Sequence, residues 1–314
     1  MSESASIHPS SFSLHRSLLA IRLSALGDVI HTIPAVLALR DRYDVTWVVE
    51  SPYRELVEIV AGVKTIPVTL RKTSTLAKTW RDVRGFEVAV DFQGLIKSAL
   101  IARASGAKRR IGFARELVRE KPAAWFTNEH VMVDPAQHVI DWNLSLVGQT
   151  FLSGRGDSEG QAGMPGPHMY REFARGDFPH LKDRIVLLPG AGKPQKLWPL
   201  DRWRQLAKQL GDSAVAVWGP GEKELARGIG CEVAPPTSLR ELASVLQDAR
   251  LVIGGDTGPL HLADALGTPV VGLYGPTNPK RNGPYRQLDR CVSTFETSKT
   301  MDAIAVADVM RLVV

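Results

Sequence analysis

Leu251-Val-Ile-Gly-Gly-Asp-Thr-Gly-Pro-Leu-His261 joins a short apolar run, a pair of glycines and an Asp-Thr step that leads into a helical pattern. That order is a buried strand, a tight loop and a helix start, the crossing unit of an α/β sheet. The glycines permit close approach of the backbone, and Asp256 or Thr257 can cap the following helix. Free N–H groups and the helix dipole at such a place attract phosphate. His261, four residues after Thr257, can face the same first turn as Gly258. A capped turn beside a buried histidine is the plainer alternative.

Outward from this unit, apolar β-branched runs alternate with helical patterns along most of the 314 residues. One series begins with a strand at Leu18–Leu23, a helix from about Asp28 to Arg40 and strands at Val45–Val49 and Val88–Val90, before a helix containing Leu95–Ala102. The second begins at Arg184–Leu188 and runs through a helix at Trp203–Leu210, strands at Ala214–Trp218 and Leu251–Ile253, and a strand at Val270–Leu273. The fold expected is α/β, with two facing, doubly wound Rossmann-like domains and a cleft between them. Residues 153–167, SGRGDSEGQAGMPGP, are dense in Gly, Ser and Pro and mark the linker. The domains are then residues 17–160 and 161–300, after a disordered extension at 1–16. A last helix over Met301–Leu312 can pack on either domain, and a crossing back to the first is expected.

Composition bounds the chemistry. Two cysteines, Cys231 and Cys291, without ligand spacing fit a reducing compartment and give no metal site. The Ser-rich start has no apolar core of a secretion signal, and no run approaches the roughly 20 apolar residues that span a bilayer. A cytoplasmic protein is expected. From Lys97 to Lys121, eight basic residues face only Glu116 and Glu120, a local excess as large as the net charge of +6 on the whole chain. No aromatic platform or zinc-finger spacing accompanies them. An anionic small molecule or lipid head group therefore ranks above nucleic acid as the partner.

In open α/β sheets ligands sit beyond the carboxyl ends of the strands. Besides the Gly254–His261 loop, three loops qualify. Pro189–Trp198 carries Lys193 and Lys196, which can neutralise a leaving diphosphate or form a solvated basic turn. Trp218–Glu222 ends a strand, and Glu222 can accept from ribose hydroxyls or simply favour a helix N-terminus. Ser24–Asp28 places Asp28 as a general base or a helix cap. Arg71, Lys72 and the stretch around Arg115 add cations, and Gln93 and Lys97 in DFQGLIKS follow a strand end. There is no GxSxG, HExxH or GxGxxG, which disfavours hydride transfer and metallohydrolysis.

Taken together, RLSALGDVIHTIPAVLALR, DFQGLIKSALIAR and GGDTGPLHLADALGTPVVGLYGPTNP resemble the bacterial lipopolysaccharide heptosyltransferases over residues 18–313, nearest to heptosyltransferase I through DFQGLIKSA and the Ala114–Glu116 triplet. The resemblance implies the GT-B arrangement and inverting transfer of L-glycero-D-manno-heptose from ADP-heptose to a 3-deoxy-manno-octulosonic acid (Kdo) residue of the lipopolysaccharide inner core. It makes Asp28 the base, Lys196 a phosphate ligand and Glu222 the ribose ligand. Asp256, Thr257, Gly258 and His261 would line the sugar diphosphate, while Arg71 and Arg115 would meet the acidic acceptor. No cofactor or metal is implied, and the polyanionic Kdo-lipid A acceptor implies a peripheral position on the inner face of the inner membrane. The loop Gly190–Lys196, GAGKPQK, is nearer to heptosyltransferase II. Alternatives are therefore a heptosyltransferase II-like or related transferase with another donor or acceptor, a non-catalytic nucleotide-sugar binding protein, and a sugar-nucleotide epimerase.

Overall fold

The computed structural model describes residues 16–40, 42–58, 63–69, 79–152 and 178–313. The first domain comprises β1 (Arg16–Ile21), α1 (Leu26–Arg40), β2 (Tyr43–Glu50), α2 (Arg54–Glu58), β3 (Lys64–Val68), β4 (Val88–Asp91), α3 (Ile96–Ala104), β5 (Arg109–Phe113), β6 (Glu129–Val131) and α4 (Val139–Val147). The second comprises β7 (Ile185–Leu188), α5 (Leu200–Leu210), β8 (Ala214–Ala216), α6 (Lys223–Arg227), β9 (Glu232–Val233), α7 (Leu239–Asp248), β10 (Leu251–Gly255), α8 (Gly258–Leu266), β11 (Val270–Tyr274), α9 (Pro279–Asn282), β12 (Cys291–Ser293) and α10 (Val306–Met310). The N-terminal extension up to residue 15, Arg71, Lys72 and the 153–167 linker lie outside the described residues.

Each domain has a six-stranded sheet, ordered β3-β2-β1-β4-β5-β6 in one and β12-β11-β10-β7-β8-β9 in the other, and every strand pair is parallel. Read from opposite ends, the two orders are the same. The period of two explains why the central strands are apolar throughout. In β1, Leu18 and Ala20 enter one core while Leu19 and Ile21 enter another on the opposite face. In β7, Val186 and Leu188 likewise part from Ile185 and Leu187.

The inner faces of both sheets belong to one continuous core, joined through α1 and α8. Helix α1 is buried almost all round, as expected of a helix covered on every side. The Asn143 amide of α4 donates to the His31 carbonyl at 3.0 Å, tying α4 to it. The C-terminal segment corrects the expected crossing. Met301, Ile304, Val306 and Val309 pack with Trp198, Trp203 and Leu206 of the second domain, and only Val306–Met310 is α-helical. Apolar partners for that stripe are already present on α5, so the segment closes its own domain.

The domains also meet through polar contacts. Tyr285 donates to Asp141 at 2.6 Å, and Arg281 lies over the Trp142 ring at 5.1 Å. The Ile140 N–H donates to His138 Nδ1 at 3.1 Å, so the proton of the neutral ring is on Nε2, which donates to the Gly283 carbonyl at 3.0 Å. Burial, and then the nearby His261 and Arg281, outweigh the Gly283 bond and Asp141 and hold His138 down at about 4, from 6.5. His31, whose ring is 5.6 Å from that of His138, is held well below its usual value by burial and by His261. Between pH 6.5 and about 4 the unfolded chain binds more protons at His138 than the folded one. The His138 contribution to stability is therefore full above about 6.5, falls as the pH drops through this window, and levels off below about 4, with a loss of roughly 3 kcal/mol. Denaturant titrations across this range are expected to show the slope, and His138→Gln to make it shallower. A flat profile would remove His138 from the account.

Candidate active site in the interdomain cleft

The strand orders reverse between β1 and β4 in the first sheet and between β7 and β10 in the second. At such reversals the loops beyond the carboxyl ends part and leave a crevice. Here the two crevices open into one cleft of about 900 Å3, lined by Asp28, Lys193, Lys196, Glu222, Asp256 and His261 among others. Both α1 and α8 begin at this cleft, so two helix N-termini with unsatisfied N–H groups face it.

The floor is set by close approach of the two helix starts. A Cβ on Gly258 would lie 2.6 Å from Leu26 Cγ, and one on Gly27 would lie 2.9 Å from His261 Cδ2. Neither site has room for a side chain, and that is what brings the Asp28 and Asp256 loops together. Asp28 Oδ2 pairs with Arg22 Nη2 at 2.7 Å and accepts from the Ala25 N–H at 3.3 Å. Arg22 is itself fixed by donating Nη1 to the Phe92 carbonyl at 2.5 Å. The Asp28 side chain remains 44% exposed, open to the cleft.

On the facing domain, Asp256 Oδ2 pairs with Lys196 Nζ at 2.5 Å and Oδ1 contacts His261 Nε2 at 3.1 Å. Burial pushes this carboxyl up, but the His261 bond and charge and the Lys196 ammonium outweigh it and hold it at about 2. Neither Asp256 nor Thr257 caps α8, contrary to expectation. Thr257 makes no side-chain cap bond, its Oγ1 and His261 Nδ1 are buried without a partner, and the Asp256 carboxylate is taken by Lys196 and His261. The first-turn N–H groups are thus left free of side-chain caps.

Glu222 accepts from the Gly219 N–H at 2.9 Å and lies directly over Gly190, where a Cβ would fall 2.0 Å from its Oε2. Two separate loops therefore combine, one supplying the carboxylate and the other the space for it. The rest of that wall is Pro236–Leu239, held by the Ser238–Glu241 capping box at the start of α7, where the Ser238 N–H donates to Glu241 Oε2 at 2.6 Å.

This paired arrangement agrees with comparison to known proteins. The family model for glycosyltransferase family 9 (heptosyltransferase) matches residues 75–308. The chain belongs to glycosyltransferase family 9. It is 33% identical to lipopolysaccharide heptosyltransferase 1 of Pseudomonas aeruginosa, over 85% of this chain and 81% of that one. It is 29% identical to lipopolysaccharide heptosyltransferase 1 of Escherichia coli strain K12, over 85% and 90%. Among solved structures, the E. coli heptosyltransferase WaaC with ADP superposes with a TM-score of 0.81 at 26% identity, covering 95% of this chain and 98% of that one. As a family 9 glycosyltransferase, the chain has the GT-B-like fold expected from its sequence.

Within this glycosyltransferase, seven of the expected residues line the cleft together with Asp28: Lys193, Lys196, Glu222, Asp256, Thr257, Gly258 and His261. The expected acceptor residues are placed differently. Gln93 accepts from the Leu23 N–H at 2.9 Å and joins β4 to the end of β1, and Lys97 pairs with Glu50 at 3.6 Å. Arg115 is exposed on the first domain, away from the cleft lining. Part of the basic stretch is structural, since Arg109 pairs with Glu129 at 2.7 Å and Arg110 donates to the Phe126 and Ala107 carbonyls. Sequence reading missed Arg22, and gave no role to Tyr53 or to the Trp218 side chain, both of which line the cleft. Arg22 sits within the RLSALGD motif, six residues before the carboxylate it holds, and that was the available signal.

Gly190→Ala tests the role of Glu222. The flexible carboxylate can swing away, so stability is expected to change little, while donor affinity falls about tenfold through the loss of one charge-assisted contact. Titration calorimetry with ADP checks this, and unchanged affinity would dissociate Glu222 from the donor.

Proposed function

We propose that this glycosyltransferase moves L-glycero-D-manno-heptose from ADP-heptose to a Kdo residue of the lipopolysaccharide inner core, with inversion at the anomeric carbon. The observation that carries the reading is the facing of Asp28, at the reversal point of the first sheet, and Lys196 with the α8 N-terminus, at that of the second. An inverting transfer needs a base on one side of the sugar and charge stabilisation on the other. Asp28 takes the proton of the acceptor hydroxyl as its oxygen attacks the anomeric carbon. The bond to diphosphate breaks on the opposite face. Lys196, the uncapped N–H groups of α8 and its dipole stabilise the charge left on ADP, so the reading calls for no metal. Glu222 holds the ribose. WaaC has been solved with ADP and with ADP-2-deoxy-2-fluoro heptose, which supports an ADP-sugar as donor.

A heptose acceptor is the second reading, favoured by the GAGKPQK loop. The described residues contain no helix long and apolar enough to cross a membrane. The reading places the enzyme peripherally on the cytoplasmic face of the inner membrane, where a lipid-anchored acceptor is presented. With ADP-heptose and Kdo-lipid A in chelator-containing buffer, acceptor-dependent release of ADP is expected. Release only with an acceptor that already carries heptose would transfer the assignment to the second reading, and donor binding without release on either would refute both.

A further inference from the structure

The first sheet grips the strand end that leads to Asp28 at a place outside the cleft. Beyond β1, the Arg22 N–H donates to the Val48 carbonyl at 3.3 Å, and the Arg22 carbonyl accepts from Trp47 Nε1 at 3.1 Å. The Leu23 carbonyl accepts from the Glu50 N–H at 3.0 Å, and the Leu23 N–H donates to Gln93 Oε1 at 2.9 Å. Three of these bonds come from β2, and the fourth comes from the far side, beyond β4. Leu23 is fully buried, so its N–H has no water to turn to in place of Gln93.

Gln93 sits on a turn built to hold still. Asp91, buried at the end of β4, accepts from the Gln93 and Gly94 N–H groups at 2.9 and 3.1 Å through Oδ1, and its Oδ2 meets the Ser98 hydroxyl at 3.1 Å. Gly94 has a φ of +66°, and a Cβ there would lie 2.8 Å from Val118 Cγ1. This turn grips the β1 end twice. Gln93 takes the Leu23 N–H, and its neighbour Phe92 offers the carbonyl to which Arg22 Nη1 donates. Arg22 Nε is buried without a partner, so among the described residues the guanidinium is held at Phe92 on one side and Asp28 on the other.

We propose that Gln93 is a positioning residue for Asp28, setting the place of the proton-accepting carboxylate through Leu23 and Arg22. The assignment deepens the functional reading above and rests on Asp28 being the base. Asp28 lines the cleft, whereas Arg22, Phe92 and Gln93 stand behind its wall and are not among the described residues that line it. Gln93 therefore acts at a distance from donor and acceptor. Without its oxygen the buried Leu23 N–H is left unsatisfied, and the chain at Arg22–Leu23 shifts toward another acceptor. Because Arg22 reaches from that segment to Asp28, the carboxylate moves with it. A displacement on the order of 1 Å at a reacting group lowers the rate by about 10²-fold.

ADP release by the full chain with ADP-heptose and Kdo-lipid A tests the proposal in Gln93→Met, which keeps an unbranched side chain of similar length and removes the accepting oxygen. At a temperature where circular dichroism shows the variant folded, its kcat is expected to fall about 10- to 100-fold, with ADP affinity and the KM for the acceptor unchanged. Gln93→Glu, which keeps an oxygen at the same reach, is expected to recover most of the loss. In an Asp28→Asn background, Gln93→Met should lower the residual rate no further, because no base is left to misplace. Gln93→Asn, whose oxygen falls one methylene short of Leu23, serves in the same way should Gln93→Met not fold. A wild-type kcat in the folded variant, no recovery in Gln93→Glu, or the same loss again in the Asp28→Asn background overturns the proposal. So does a raised acceptor KM with kcat intact, which would assign Gln93 to the acceptor itself. Turnover by the wild type and its loss in Asp28→Asn alone report on the functional reading separately, since both leave Gln93 in place.

Discussion

Asp28→Asn is expected to bind ADP-heptose as the wild type does and to lower kcat by about 10²- to 10⁴-fold, the usual effect of losing a positioned general base. The substitution keeps an oxygen to accept the Ala25 N–H, and Asp28 contributes little to the core because its side chain is 44% exposed. What it removes is the basic oxygen that Arg22 holds at the mouth of the β1 loop. Because the proposed donor contacts come from the other domain, the KM for ADP-heptose should change much less than kcat. ADP release at saturating acceptor measures the first quantity and calorimetry the second. A kcat within a few-fold of wild type would show that another group takes the proton.

Lys196→Met should have a second, separable effect. On the chemical side, removing the cation proposed to face the departing diphosphate is expected to lower kcat/KM by roughly 10²- to 10³-fold. On the structural side, Asp256 loses a partner at 2.5 Å while its side chain stays only 7% exposed, leaving the carboxylate to His261 alone. An under-satisfied buried carboxylate costs on the order of 1–3 kcal/mol, measurable by denaturant titration. Adding Asp256→Asn removes the stranded charge and should restore much of that stability without restoring turnover. If stability and activity returned together, Lys196 would be a structural partner of Asp256 and nothing more.

The alternation of strands and helices was legible because β1, β7 and β10 bury both faces and so read as unbroken apolar runs between loops that open helices. The cleft residues followed from the same logic, since Asp28, Lys196, Glu222, Asp256 and His261 all stand just after strand ends. Strand order was not legible. That β10 lies beside β7 rather than beside β9 depends on tertiary packing, and only that order makes the Lys196 and Asp256 loops neighbours. Charge was misread for a related reason. Arg109 and Arg110 lie on β5, and their partners Glu129 and the Phe126 carbonyl come from a later strand and its approach, far away in sequence. The capping expectation at Asp256 failed because Lys196 and His261 take its carboxylate, and Lys196 comes from a loop far away in sequence.

The core shared by the inner faces of the two sheets has a thermal consequence. Two domains with private cores can melt one after the other, each at its own temperature. Here Val186 and Leu188 of one sheet and Leu18 and Ala20 of the other belong to a single buried cluster through α1 and α8, so disordering either half strips apolar cover from the other. Heat is therefore taken up in one cooperative step. A nucleotide that touches only the second sheet raises the melting point of the first as well, since stabilisation by binding is spread over everything that unfolds together.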